Sequence, residues 1–136
     1  MNWGTMRRQN RERGAAAVEF ALVVPLLLML MLGIAEFGRA YSTQTILSGA
    51  AREGVRVMAL QNSTSAARTA AIAAAAPTLS LTTSQIGITT SPTSTPISCA
   101  SGGQTTITIT YSMPYLSDFF GSSITLKGTG VMRCNG

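Results

Sequence analysis

The sequence predicts an α+β membrane protein: one long N-terminal helix with a transmembrane first half, then a short alanine-rich helix and a small C-terminal β-sheet region. Three observations predict this fold class. An almost uncharged apolar run, Ala15 to Ala35, is followed by helical periodicity as far as Leu60. The alanine-rich stretch "SAARTAAIAAAA" then stops at Pro77. Beyond Pro77, β-branched residues alternate with polar ones, as they do in strands.

These changes of composition divide the chain into three regions. Residues 1–14 form a basic cytoplasmic leader, residues 15–60 a transmembrane and extended helix, and residues 61–136 an exported Ser/Thr-rich α+β region. The leader is expected to be disordered or to lie on the membrane surface. Four arginines precede the apolar run, which places the N-terminus in the cytoplasm by the positive-inside rule: Arg7, Arg8, Arg11 and Arg13.

The apolar run Ala15 to Ala35 contains one charged residue, Glu19, and one proline, Pro25. A helix of this length spans about 30 Å, which matches the hydrocarbon thickness of a bilayer. A proline is tolerated in such a helix and usually kinks it. Apolar and small residues then recur at three- and four-residue spacing, so one helix is predicted from Ala15 to Leu60. They are Ile46, Leu47, Ala50, Ala51, Gly54 and Met58.

The rest of the chain is predicted to hold a second helix, about Ser65 to Ala76, and then strands. One strand or a pair of short strands is expected at Leu79 to Thr89, and single strands at Thr105 to Ser112 and Ser123 to Cys134, the last one broken by glycines. Between the last two strands, Tyr115 to Phe120 is aromatic. We expect it to pack as core under the sheet, the alternative being a loop that binds a partner, because adjacent phenylalanines are costly to expose.

Composition also bounds the chemistry. The chain has no histidine and five acidic residues, so we expect neither a catalytic site nor a metal site, and no cofactor. The net charge of +5 does not indicate nucleic-acid binding, because the basic residues outside the leader are scattered. The two cysteines, Cys99 and Cys134, lie in the exported region and are predicted to form a disulfide.

Glu19 is the unusual residue of the span, because a lone carboxylate at mid-bilayer costs about 2.5–3.5 kcal/mol. One interpretation is that Glu19 is interfacial and that the span starts at Phe20. The other is that cleavage after Gly14 makes Ala15 the new N-terminus, one helical turn before Glu19. Its ammonium group and the carboxylate could then neutralise each other, within one chain or between neighbours.

The string "RGAAAVEFALVVPLLLMLMLGIAEFGRA", followed by "AAREGVRV", resembles the TadE-like family of the tight-adherence (Flp/Tad) pilus system. These are minor pilin-like (pseudopilin) membrane proteins of a type IVb-related secretion apparatus. The resemblance implies processing by a prepilin peptidase between Gly14 and Ala15, with Glu19 as the recognition and assembly acid and Phe20 as its aromatic neighbour. The long Ser/Thr-rich C-terminal part favours the minor-component branch.

The partners implied by the resemblance are the prepilin peptidase, other pilin-like subunits and the inner-membrane pilus assembly platform, in addition to membrane lipid. The implied location is the cell (inner or cytoplasmic) membrane, crossed once, with the C-terminal region periplasmic or extracellular. Two alternatives stay open. The chain could be an uncleaved, membrane-anchored binding or adhesion module, or Gly38 to Ala40 could be a signal-peptidase site that leaves Tyr41 as the mature N-terminus.

Overall fold

Helix α1, Trp3–Gln61, dominates the computed structural model, which describes residues 3–135 and, for side chains, residues 14–135. Its end agrees with the expected Leu60, but it begins well before the expected Ala15. From Trp3 onward the backbone is therefore helical and not disordered, while the alternative, a leader that lies on the membrane surface, stays a prediction. The segment before Gly14 contains no proline and is rich in arginine, a good helix former, so a helix once formed extends over it at little cost. The leader's basic side chains lie outside the described ones.

The chain divides into two compact units, Met1–Gly38 and Arg39–Gly136. In the first unit, the described part of α1 exposes nearly all of its side chains, and Pro25 lies within the helix without ending it. Glu36 is the exception, with only 5% of its surface exposed. The unit boundary falls inside α1, because the second half of the helix supplies core residues to the second unit.

The second unit contains helix α2, Thr64–Ala75, and three strands: β1, Ile86–Ser91; β2, Gln104–Pro114; and β3, Ser123–Arg133. The strands form one antiparallel sheet in the order β1-β2-β3. Between β1 and β2, Ile86 pairs with Ile109, and between β2 and β3, Pro114 pairs with Ser123. The alternating segment "TTITITYS" therefore lies in the central strand, β2. In that position, the strands on both sides supply hydrogen-bond partners for its backbone N–H and C=O groups.

The core of the second unit lies between the two helices and the sheet. It is built from the buried face of α1, an all-alanine face of α2, the apolar face of β1 and β2, and the segment before β1. Its larger members are Leu47, Val55, Met58, Leu79, Leu81, Ile86, Ile88, Ile107 and Ile109. The helical spacing read from the sequence is confirmed for Leu47, Ala50, Ala51 and Met58, all of which are at most 2% exposed.

Two glycines let α1 approach β3 closely. A Cβ atom built on Gly128 would lie 2.3 Å from the Leu47 carbonyl carbon, and one on Gly130 would lie 2.6 Å from the Ala51 carbonyl oxygen. Real Cβ atoms essentially never come so close to another heavy atom. The glycines expected to break the last strand therefore lie inside a continuous β3. Because they have no side chain, the backbone of α1 packs directly against them.

Asn62 ends α1 and connects it to the rest of the unit. It has a positive φ of 49°, a left-handed conformation that commonly terminates helices and that asparagine tolerates. Its Oδ1 accepts a hydrogen bond from the Cys99 backbone N–H. Ser63 then caps α2, its Oγ accepting from the Ala66 N–H at 3.3 Å.

A disulfide joins Cys99, in the loop between β1 and β2, to Cys134, directly after β3, with the Cα atoms 5.3 Å apart. The Cys134 N–H donates to the Gly103 carbonyl at 2.9 Å. The covalent bond therefore ties the loop that enters β2 to the end of its neighbour β3.

The segment Leu79 to Gln85 is not a strand, and this part of the prediction is wrong. Leu79 and Leu81 are buried, which produces the apparent alternation, but the chain then makes a 3₁₀ turn, Thr83–Gln85. The Gln85 side chain accepts from the Thr82 N–H at 2.8 Å. A local side-chain bond of this kind competes with pairing into a sheet, so β1 begins only at Ile86.

Candidate functional site

The predicted processing segment, Gly14 to Phe20, lies on α1, and every residue in it is exposed. Phe20 has 70% of its surface exposed. A Cβ built on Gly14 meets no atom within 4 Å. The segment thus offers an open helical surface on which an enzyme or a neighbouring helix can bind without displacing any described side chain.

Glu19 has no polar neighbour on its own helix face. Side chains three and four residues away on a helix are neighbours, and at Glu19 these positions hold Ala15, Ala16, Leu22 and Val23. Apart from backbone groups, a carboxylate in this position must take its partner from an amine at residue 15, from another chain or from water.

The helix downstream of Glu19 has the surface of a membrane span. Within Gly14–Gln61, its most apolar window has a mean hydropathy of 2.5, and none of that window is buried. A continuous exposed apolar surface of this extent marks contact with lipid or protein. Its exposed large residues are Val18, Phe20, Leu22, Val23, Leu26, Leu27, Leu28, Met29, Leu30, Met31, Leu32 and Ile34.

Where α1 enters the second unit, its side chains contact the end of β2 and the first half of β3. Arg39 Nη2 donates to the Pro114 carbonyl at 3.5 Å, and Thr43 Oγ1 lies 3.6 Å from the Met113 sulfur. Gln44 Nε2 donates to the Lys127 carbonyl. Farther along, Asn135 N–H donates to the Ala59 carbonyl at 3.4 Å.

These contacts fix the direction of the sheet beside α1. The β2–β3 connection lies at the Arg39 end of the helix, and the disulfide lies at the Ala59 end. Residues 115–122, which make that connection, are called the hairpin tip below.

The hairpin tip is exposed, so the expectation that Tyr115 to Phe120 packs as core is wrong. Leu116 is 60% exposed, Phe119 79% and Phe120 49%. The core under the sheet is instead made by residues of α1, α2, β1, β2 and the segment before β1. The register carries β2 and β3 to Pro114 and Ser123, so the tip begins beyond the end of that core.

The structure does not bring all the predicted site residues together. Gly14, Ala15, Glu19 and Phe20 share a short stretch of α1, whereas the disulfide of Cys99 and Cys134 belongs to the second unit. Sequence reasoning missed the Arg39 contact with Pro114 altogether, since nothing local links residues so far apart. The hairpin tip was noticed for its aromatic content, which was the available signal.

Comparison with known proteins gives one family. The family model described as TadE-like protein matches residues 14–56. No curated protein and no solved structure is significantly similar to the chain. The match begins at the predicted processing residue, Gly14, and ends within α1, so the α2 and sheet regions lie outside it. Over residues 14–56, the chain is thus similar to the TadE-like family that the N-terminal sequence resembles.

Proposed function

We propose that this protein is a minor pilin-like (pseudopilin) component that supports biogenesis of a tight-adherence (Flp/Tad, type IVb-like) pilus without catalysing a reaction. The TadE-like region associates the chain with the Tad system. The exposed, apolar helix makes it a membrane-anchored protein. The observation that carries the finer role is Glu19, an acid with only apolar neighbours on its helix face, five residues into that region.

In the proposed mechanism, a prepilin peptidase cuts between Gly14 and Ala15. The cut creates an ammonium group on Ala15, four residues before Glu19 and therefore on the same helix face. Charge neutralisation removes most of the cost of holding Glu19 at the membrane edge. When the ammonium and carboxylate belong to adjacent pilin-like subunits, their pairing sets the axial register between the two helices.

The proposal places the N-terminus in the cytoplasm and the second unit on the far side of the cell membrane, periplasmic or extracellular. The inner-membrane assembly platform and other pilin-like subunits are the expected partners. The disulfide between Cys99 and Cys134 supports this placement, because disulfides persist in oxidising compartments.

The first test is the N-terminus of the membrane-associated protein, read by mass spectrometry. We expect Ala15 as the first residue, and we expect Gly14→Leu to retain the leader. Gly33→Leu is the matched control, because both glycines lie on α1 with open space around them. A wild-type chain that keeps its leader contradicts processing and favours the uncleaved binding or adhesion module. A chain beginning at Tyr41 would instead identify a secretory signal peptide.

The second test separates assembly from anchoring. Glu19→Gln keeps the shape of the side chain and removes its charge, so we expect membrane retention to persist and pilus assembly, measured by surface-pilus yield, to be lost. Glu53→Gln is the control, since Glu53 is an exposed glutamate on the same helix but outside the span. Normal pilus yield with Glu19→Gln would remove the register role.

A further inference from the structure

The hairpin tip, residues 115–122, concentrates exposed apolar side chains in a unit whose other large side chains mostly pack inward. Phe119 and Phe120 expose 79% and 49% of their surfaces, and Leu116 exposes 60%. Single exposed apolar residues are ordinary, but adjacent aromatic residues at one loop indicate a contact surface. Asp118 is the sole charged residue in the tip.

The exposure follows from how the tip is closed. Tyr115 N–H donates to the Ser122 carbonyl at 3.3 Å, and Gly121 N–H donates to the Asp118 carbonyl at 3.3 Å. Gly121 has φ of 106°, a conformation that glycine adopts without strain. The rings of Tyr115 and Phe120 lie 6.2 Å apart between centroids, within the range of a favourable aromatic pair. These contacts join residues of the tip only to one another, and the Phe119 side chain takes no part in them.

The position of the tip favours the bilayer as its occupant. The tip directly follows Pro114, whose carbonyl accepts a hydrogen bond from Arg39 Nη2 at 3.5 Å. Arg39 comes four residues after Ala35, the end of the predicted span, and four residues reach at most about 14 Å even when fully extended. Whatever the orientation of the second unit, the root of the tip is thus tethered close to the end of the span by a short segment and one arginine side chain.

The chemistry of this region matches a lipid headgroup layer. That layer is about 5–8 Å thick on each side of the hydrocarbon. Tryptophan and tyrosine concentrate there, and phenylalanine and leucine of interfacial segments insert at its boundary with the acyl chains. Tyr41, two residues after Arg39, is 69% exposed, as expected of a tyrosine at the membrane interface. Asp118 is exposed beside Phe119, and we expect its carboxylate to stay in water.

We propose that the hairpin tip is a second membrane contact, with Phe119 and Phe120 inserted into the headgroup layer of the bilayer that α1 anchors. The contact fixes how the second unit stands on the membrane and thereby which surfaces it presents to other subunits. This inference depends on anchoring by α1 and not on the pilus role. A second copy of the chain, or another subunit, is the competing occupant.

The test uses the full chain in lipid nanodiscs that hold one copy each and contain no other pilus protein. Trp3 is the sole tryptophan, so Trp3→Phe combined with Phe119→Trp gives a single reporter at the tip. Its emission maximum and its quenching by lipids that carry a quencher near the headgroup are measured. Cys99–Cys134 disulfide formation, read by mobility on a non-reducing gel, verifies that each variant is folded.

The matched control is Trp3→Phe combined with Val131→Trp. Val131 is 58% exposed and lies on β3 eight residues from Ser123, which is about 26 Å along the strand. We expect a blue shift and quenching for the tip reporter, and neither for the Val131 reporter. Equal emission and equal quenching of the two reporters would overturn the proposal. A tip reporter that becomes shielded only in discs holding two copies would also overturn it, in favour of a subunit contact.

Discussion

Gly128 and Gly130 set the distance between helix α1 and strand β3. Their missing side chains leave room for the backbone of Leu47 and Ala51. Glycine normally weakens a strand, because it adds flexibility and packs no side chain. Here that cost is offset by the helix backbone, which comes closer to the sheet than any larger residue would permit.

A side chain at Gly128 should therefore destabilise the second unit. We expect Gly128→Ala to lower the free energy of unfolding by about 1–3 kcal/mol, the usual range for overpacking, because its Cβ would fall 2.3 Å from the Leu47 carbonyl carbon. The measurement is denaturant unfolding of the full chain in micelles, followed by near-ultraviolet circular dichroism of the tyrosines. All three tyrosines lie in the second unit.

Gly87→Ala is the control for this prediction. Gly87 lies in β1, and its added Cβ would be 3.7 Å from the Thr108 carbonyl oxygen, an ordinary contact. If both alanine variants unfold at the same denaturant concentration, close packing at Gly128 is not what determines stability there.

At the scale of the elements, the crossing of α1 and α2 depends on small residues on both helices. Ala67, Ala71 and Ala75 of α2 are fully buried. A Cβ on Gly54 of α1 would lie 3.0 Å from the Ala71 Cβ. An alanine face buries little area per residue, so its contribution to stability comes from how closely it lets the helices approach.

Ala71→Leu should force the two helices apart. We expect a loss of about 1–3 kcal/mol in the free energy of unfolding and a lower thermal midpoint by circular dichroism. Ala74→Leu is the matched control, because Ala74 lies on the exposed face of the same helix and leucine has nearly the helix propensity of alanine. A thermal midpoint for Ala71→Leu equal to that of the control would show that the crossing is loosely packed.

At the scale of the whole molecule, the disulfide closes a loop of 35 residues that contains β2, the hairpin tip and β3. The second unit is small, and a small core profits from a covalent constraint on its unfolded state. The bond also links the loop before β2 to the residue after β3, so two of the three strands cannot separate fully.

Removal of the disulfide by Cys99→Ser with Cys134→Ser should cost about 4 kcal/mol in the chain-entropy model. We expect the denaturant midpoint of the double variant to fall to that of the reduced wild-type chain. Reduction should change the wild-type midpoint and leave the double variant unchanged. A double variant as stable as the oxidised wild type would show that the bond is dispensable for folding.

The membrane span, the helices and the central strand were predictable because each depends on a local pattern. An uncharged run of bilayer length, a three- and four-residue spacing and a two-residue alternation can be read without knowing what lies nearby. The same locality explains why the TadE-like segment was recognised, since the matched residues 14–56 form one continuous stretch of α1.

The errors have a common physical cause, which is that local patterns do not report tertiary neighbours. Leu79 and Leu81 alternate like a strand, but the core that buries them is made by distant elements. Tyr115 to Phe120 has the composition of a core segment. It is nevertheless exposed, because β2 and β3 extend beyond the packed core before the chain turns.

By itself, then, the sequence determined the long apolar helix, the order of the main elements and the candidate processing segment from Gly14 to Phe20. Only the tertiary structure decided that Gly128 and Gly130 lie under α1, that Arg39 holds the end of β2 and that Phe119 faces outward. Helix and strand formation follow from neighbours a few residues apart, whereas burial and exposure depend on which distant segments reach the same place.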